Sequence, residues 1–537
     1  MELAAGFPSV TRDEWRELAL GVLRKSGAPE ESLYTRTYDG VRIAPLYDAS
    51  DLPAAQVRGS RTDWDVRQRH TVADPEAVMA DLENGVTSLW LVVGEGAIGV
   101  DDLPALLKDV YLDLAPIVLE SSSSEAGEVL LELAAARGVA LRGNLGAPGL
   151  AARCLPHPGL RSVVVDGTPY HDMGGSDVEE LGCSIALGVG HLRELTAAGL
   201  TMEEAFGQLE FRYAASADQF GTIAKLRAAR KLWARVAEVC GVAAGQVQHA
   251  VTSSAMMTAR DPWVNMLRTT LACFAAGVGG ADAVTVQPFD ACLGLPDGFS
   301  RRIARNTQSL LLEEAGVGRV ADPGGGSYYV ERLTAELASQ AWAWFQEIEA
   351  GASVEKRIAV TRARRDDDIA HRRFPITGVS EFPNLGERRF SATNTDMSRY
   401  ARPFEALRDL ADAQPVRPAV FLATIGPVAA YTARASFAAN LFQAGGLDTP
   451  SAGPGSDPSS IAAAFAESGS AVACLCSSDK LYGEHAAAVA DALRRAGARK
   501  VWLAGKGEYD GVDAHVYAGC DALDVLRTTF DDLGVTR

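Results

Sequence analysis

SLWLVV (88–93), PIVLE (116–120), VALRGN (139–144), RSVVVDG (161–167), HAVTSS (249–254) and AVTVQP (283–288) are short apolar runs of strand length. Helical patterns separate them, among them EAGEVLLELAAARG (125–138) and DQFGTIAKLRAARKLWARVAEVCG (218–241). Strands that alternate with helices pair in parallel, because each crossover returns the chain to the same end of the sheet. The alternation extends from about residue 85 to 375. Six or more such units over about 300 residues favour a closed (β/α)8 barrel over an open sheet.

The same pattern restarts further on, with RPAVFLATIG (417–426), SAVACLC (470–476) and RKVWLAG (499–505) each followed by a helical stretch. About 120 residues of this kind predict a flavodoxin-like doubly wound domain over 417–537. Residues 376–416, containing FPNLGERRFSATNTDMSRYARPF, are rich in Pro, Asn, Ser and scattered charge, and read as a linker. The fold class is therefore α/β: a TIM barrel over 46–375, the linker, then the doubly wound domain. Before the barrel, Thr11 and Glu14 have capping-box spacing ahead of the amphipathic WRELALGVLRK. YTRTYDGVRIAPLYDASDLP (34–53) reads as extended and turn-rich. Residues 1–45 are thus expected to be a helix and an arm that contacts a partner.

Charge narrows the function. The 537-residue chain has a net charge of −18, with 22% charged and 47% hydrophobic residues. Nucleic acid and anionic membrane both require a basic surface, so neither is an expected main partner. The eight cysteines include no CxxC pair, and Cys474 and Cys476 fall in an apolar run that reads as a buried strand. The N-terminus has no basic start with an apolar core of signal length, and no stretch has the roughly 18–20 apolar residues of a span. The expected location is a reducing cytoplasm.

Candidate chemistry is sparse. In IAKLRAARKLW, Ile223, Leu226, Ala229 and Leu232 share one helix face, flanked by Lys225, Arg227, Arg230 and Lys231. DPGGGSYYVE sets Gly324 to Gly326 where the backbone turns, without a helix start at P-loop spacing. Asp366 to Asp368 lie in a helix-like run whose charges suit a solvated or subunit-facing surface. No nucleophile elbow, HExxH or Walker loop occurs.

YTRTYDGVRIAPLY, FGTIAKLRAARKLWARV, TARDPWVNMLRTTL, FSRRIARNTQ and RVADPGGGSYYVE resemble segments of the methylmalonyl-CoA mutase family, in the family's order. With the C-terminal domain the resemblance covers nearly the whole chain. It implies a CoA-binding TIM barrel followed by a flavodoxin-like cobalamin domain. It also implies a D-x-H-x-x-G loop after the first strand of that domain, where the His ligates cobalt and the Asp orients it. Here Gly426 survives, but Val428, Ala430 and Ala433 hold the Asp, His and Gly positions. The family's Ser-Ser-Leu reads Ser477-Ser478-Asp479, and its double glycine reads Ala504-Gly505. In the barrel, Arg69 in WDVRQRH replaces the tyrosine of the family's R-Q-Y, and LRGNLGAPGLAAR (141–153) replaces its Thr-x-Gln segment. Tyr170 and His171 do match the family's Tyr-His pair, whose His donates to the thioester carbonyl in catalytic chains. Their role here is expected to be vestigial.

The family includes heterodimers whose small chain lacks cobalamin, and this chain is similar to that small chain. The expectation is therefore a subunit with no intact catalytic, cofactor or metal residues. It would stabilise a large catalytic subunit that carries adenosylcobalamin and interconverts (R)-methylmalonyl-CoA and succinyl-CoA. The alternatives are a cobalamin-independent acyl-CoA enzyme or binding protein and a regulatory protein of a mutase.

Overall fold

A computed structural model describes residues 10–53, 63–294, 296–388, 390 and 397–535. Residues 1–9 of the expected arm, and 389 and 391–396 of the expected linker, lie outside the described residues.

Eight strand positions form a ring: β1 (Asp65–His70), β2 (Ser88–Val93), β3 (Ile117–Ser121), β4 (Gly143–Asn144), β5 (Leu160–Arg161 and Val163–Asp166), β6 (Leu209–Ala215), β7 (Gln248–Thr252) and β8 (Ala283–Thr285). All pairings are parallel, and β8 returns to β1 through Ala283–Asp65 and Val284–Val66. β5 is broken at Ser162, so that its first half pairs with β4 and its second with β6. The barrel is of TIM type. Two of its strands, DVRQRH and LEFRYAA, are absent from the apolar runs quoted above. They carry Arg67, Arg69, Glu210 and Arg212, charges that a packed strand tolerates only when they meet partners.

Those partners lie across the bore. Arg67 of β1 pairs with Glu210 of β6, and Arg212 of β6 bonds Glu120 of β3 at 3.3 Å. These strands are not neighbours in the ring, so the contacts cross its interior.

Outside the ring, the helices Asp177–Ala197, Gln219–Val239 and Tyr328–Glu349 pack on the barrel and on one another. The basic residues expected to flank the apolar face of Gln219–Val239 are instead largely inside. Lys225 and Arg227 are fully buried, and Arg230 donates to Gly279 O at 2.6 Å and to Gln248 Oε1 at 2.7 Å. Over residues 221–229 the helix is covered on every side, and buried acids neutralise it. The glycine loop also differs from expectation, because a helix starts directly after it, with Ser327 capping Tyr328–Glu349. Glu331 in its first turn takes the Gly326 N–H at 3.1 Å and Arg227 Nη2 at 2.6 Å. An internal carboxylate thus holds the place of an outside anion.

The smaller sheet runs β9 (Val420–Thr424), β10 (Val472–Cys476), β11 (Lys500–Ala504), β12 (Ala514–Val516), all parallel. Bridges Ala419–Asp448 and Leu422–Ser451 add a minimal edge strand beside β9. Counted in chain order, the arrangement is 2-1-3-4-5, the flavodoxin-like order. Cys474 and Cys476 are buried free thiols in β10.

Two connections tie the parts together. Thr35–Arg36 and Arg42–Ile43 pair as a small antiparallel hairpin. Its tip docks on the chain's own barrel: Val41 enters the main core, Asp39 accepts from Ser176 Oγ, and Tyr38 Oη donates to Asp368 Oδ2 at 3.0 Å. Within the stretch expected as a linker, the helix Arg402–Asp412 packs into the core of the smaller sheet through Phe404, Leu407 and Ala411, and it is fastened to the loop after β7 by Ala259 N to Glu405 Oε1 at 2.6 Å and Arg260 Nη1 to Asp412 Oδ2 at 2.8 Å. The capping box of Thr11 and Glu14 forms as read, but the helix Arg12–Ser26 buries none of its residues fully.

Candidate functional site

His171 and Tyr170 sit on a short helix, Thr168–Asp172, just beyond the C-terminal end of β5. This is the end of a TIM barrel that carries function. The structure separates the pair. Tyr170 is half-buried against the outer helix core. His171 is buried, its Nε2 2.7 Å from Ser253 Oγ immediately after β7. Burial, reinforced by the Lys225 charge, pushes the His171 pKa down to about 3. The ring is therefore neutral. Among the described residues no carboxylate hydrogen-bonds its Nδ1, so the pair lacks the acid that orients a catalytic Ser–His couple. His171 borders a cavity of 570 Å³ that the hairpin tip closes with Tyr38 and Asp39.

The bore beneath is filled. Arg212 lies 3.9 Å from the Trp90 ring centroid and bonds Asp166 Oδ2 at 2.9 Å, while Trp90 Nε1 donates to Glu120 Oε2 at 2.9 Å. Arg69, the residue in the tyrosine position, stands 4.9 Å from the same ring and 3.5 Å from Glu120. His249 of β7 meets Trp90 edge-on at 5.4 Å. Strands β1, β2, β3, β5, β6 and β7 thus contribute to one cation–π and ion-pair stopper. A CoA ester passing along the bore would have to displace it and leave the buried Arg212 unpaired.

At the C-terminal edge of the smaller sheet, Gly426 follows β9 with φ +97°, and a Cβ there would meet Leu481 Cδ1 at 2.4 Å. The segment expected as a cofactor loop stops at Pro427. Val428, Ala430 and Ala433 belong to the first turns of the helix Val428–Ala444, because the Ala-rich stretch after the extended Pro427 cap favours helix. From the second turn, Arg434 reaches across the crevice. It donates to Ser477 O at 2.8 Å and Asp479 Oδ1 at 2.6 Å. Ser477 is buried and donates to Ile425 O at 2.6 Å, and Ser478 caps the helix Asp479–Arg495. Gly505 has φ +150°, and a Cβ on it would come within 3.4 Å of Arg434.

Tested against cobalamin, these residues do not fit. Valine and alanine side chains carry no ligand atom, Leu481 closes on Gly426, and Arg434 bridges the gap between β9 and β10. The two histidines of this domain lie elsewhere: His485 within the helix Asp479–Arg495, and His515 on β12 with Nε2 2.9 Å from Gly507 O. No group of three or more metal-ligating side chains converges among the described residues. No helix among them is long and apolar enough to cross a membrane.

A mutase-type barrel joined through its C-terminal rim to a flavodoxin-like sheet defines the class. The chain belongs to the methylmalonyl-CoA mutase family, whose model, described as Methylmalonyl-CoA mutase, matches residues 153–429. It is 51% identical to the methylmalonyl-CoA mutase small subunit of Streptomyces virginiae, over 100% of this chain and 98% of that one. It is 36% identical to the small subunit of Propionibacterium freudenreichii subsp. shermanii, over 100% and 97%. Its likeness to the protein named methylmalonyl-CoA mutase of Cereibacter sphaeroides is 37% over 42% of this chain and 34% of that one.

Proposed function

We propose that this chain is the non-catalytic small subunit of a methylmalonyl-CoA mutase. It binds and stabilises a large catalytic subunit in a heterodimer. That partner carries adenosylcobalamin and interconverts (R)-methylmalonyl-CoA and succinyl-CoA. The observation that carries the reading is Arg434 spanning the crevice from Ser477 O to Asp479, with Val428 where an orienting acid and Ala430 where a ligand would stand. The cofactor supplies homolysis of a cobalt–carbon bond. A chain that does not hold it contributes by association. The filled bore supports the same reading, since Trp90 and Arg212 occupy it with the chain's own side chains. Full-length relatives named as small subunits add to it.

The test is to express this chain alone and with the large mutase chain of the same genome, then measure cobalamin content, complex mass and isomerase activity. A stable, active one-to-one pair with a cobalamin-free small chain is expected. Cobalamin in, or isomerase activity from, the chain alone would overturn the proposal.

A further inference from the structure

We propose that the cavity under the hairpin tip binds a small aromatic carboxylate, its carboxylate on Arg365, Tyr400 and His171 and its ring among apolar walls. The cavity measures 570 Å³, within the roughly 300–1,000 Å³ of pockets for small organic ligands. Its walls come from the hairpin, from the loops after β5, β6 and β7, and from the outer helices Asp177–Ala197, Gln219–Val239, Tyr328–Glu349 and Val354–Ala370. None of Arg69, Trp90, Glu120 and Arg212 borders it, so it is separate from the filled bore. The site would stand whether or not the chain is a mutase subunit.

Three open donors meet there. Arg365 donates Nη1 to Gly174 O and Nη2 to Gly175 O at 3.3 Å, and its Nε has no partner among the described residues. Tyr400 N donates to Ala255 O at 2.9 Å, while its Oη has no partner among them either. Burial raises the pKa of this phenol, so it keeps its hydrogen. His171 is neutral, and with Ser253 Oγ donating to Nε2 its one ring hydrogen rests on Nδ1, again without a partner. All three residues border the cavity, and none of these three atoms is among the unpartnered polar atoms closed off inside the protein. Arg365 stands 5.1 Å from the centroid of the Tyr400 ring, and its charge acts on His171 as well, which sets the three side by side.

Arg365 decides the charge of the ligand. Each acid on the walls has a donor of its own: Asp177 has Lys225 Nζ at 2.9 Å, Asp368 has Tyr38 Oη at 3.0 Å, Asp39 has Ser176 Oγ, and Asp218 has Gly221 N at 3.0 Å. Arg36 pairs with Glu31 at 3.6 Å. Among the described residues no carboxylate forms an ion pair with Arg365, which leaves a buried guanidinium on two carbonyls and the Tyr38 and Tyr400 rings. A ligand carboxylate supplies the missing charge and has lone pairs enough for all three donors. Tyr38, Tyr329, Phe374, Met256, Leu333 and Leu337 line much of the remaining wall, an apolar surface that suits a flat ring. A cationic ligand is repelled by Arg365, and an acid without a body of that size leaves the apolar wall wet.

The experiment titrates the full-length chain by calorimetry with benzoate, with acetate and with benzyl alcohol near neutral pH, at constant ionic strength. We expect one saturable site for benzoate, at about millimolar affinity or tighter for a ligand so small. Acetate, a charge without a ring, and benzyl alcohol, a ring without a charge, should each bind at least about tenfold more weakly. Tyr400→Phe removes only a hydroxyl that has no partner in the chain, so Tm should hold while benzoate affinity falls by about tenfold, the loss of one hydrogen bond to a charged group. Absence of saturable benzoate binding at tens of millimolar, equal binding of acetate or benzyl alcohol, or unchanged affinity in Tyr400→Phe would overturn the proposal. Should Tyr400→Phe fail to fold, hydrogen exchange of the wild-type chain decides. Benzoate-dependent protection over residues 36–43 and 171–177 supports the site, and protection elsewhere or nowhere sinks it.

Discussion

Lys225 Nζ lies 2.9 Å from Asp177 Oδ1 and 2.7 Å from Glu180 Oε2, its side chain wholly buried beneath the His171 cavity. Burial alone would neutralise this amine, but the two acids raise its pKa, and the lysine in turn lowers that of Asp177. Three elements, the helix Asp177–Ala197 that carries both acids, the helix Gln219–Val239 and β6 through Ala214 N on Glu180, meet at this charge. Lys225→Met leaves the fully buried Glu180 and the partly exposed Asp177 without their cation and is expected to cost about 3–5 kcal/mol in denaturant unfolding. A loss below about 1 kcal/mol would show the triad to be incidental.

The hairpin is expected to respond to pH. Burial pushes the Asp39 carboxyl up from 3.8 to about 7, with neighbouring Asp177 and Glu179 adding to the rise and the Ser176 hydrogen bond opposing it. In the unfolded chain the group ionises near 3.8, while in the fold it stays protonated to about 7. Its contribution is therefore complete at low pH and declines as pH rises across that window. Asp39→Asn should flatten the fall of Tm between those values. Parallel Tm–pH curves for the two proteins would count against this account.

Restoring an imidazole should not restore a cofactor site. In Val428→Asp/Ala430→His, Leu481 still closes on Gly426 beside position 430 and Arg434 still bridges to Asp479, so no cobalamin spectrum is expected after reconstitution and desalting. A stoichiometric bound spectrum would show that the crevice opens more easily than its contacts imply.

The bore stopper should be structural. Trp90→Ala removes the ring between Arg212 and Arg69 and leaves a cavity, at an expected cost of about 3–5 kcal/mol. Calorimetric unfolding measures it, and a near-neutral substitution would mean that the ring is not load-carrying.

Association can be mapped to the first helix. Leu18 and Val22 are 72% and 65% exposed on Arg12–Ser26, whereas Val41 of the hairpin is core. Deleting residues 1–27 should spare the barrel yet reduce co-purification with the large chain. Deleting 1–45 would also remove Val41 and Asp39 and so confound folding with binding. Unchanged co-purification of the shorter deletion would remove the helix from the interface.

Much of the architecture was legible because its strands are apolar on both faces. SLWLVV, PIVLE and SAVACLC are buried throughout or nearly so, and continuous apolar runs are what a parallel sheet under helices requires. DVRQRH and LEFRYAA escaped because their alternate residues are charged. Only closure of the ring brings Arg67 to Glu210 and Arg212 to Glu120. Lys225 and Arg227 misled for the same reason: a basic residue beside an apolar stripe suggests solvent, and the acids that bury it lie 45 to 104 residues away along the chain.

By itself the sequence determined the barrel-plus-sheet class, through the order of its strands and helices, and the absence of imidazole at position 430, which no folding can supply. Only the tertiary structure decided that Arg434 spans the crevice, that Trp90 and Arg212 fill the bore, and that Tyr170 and His171 face different cores. Local propensity sets what a segment becomes. Which distant charges meet depends on how the closed ring sets strands side by side, and that is not written in any one stretch of the chain.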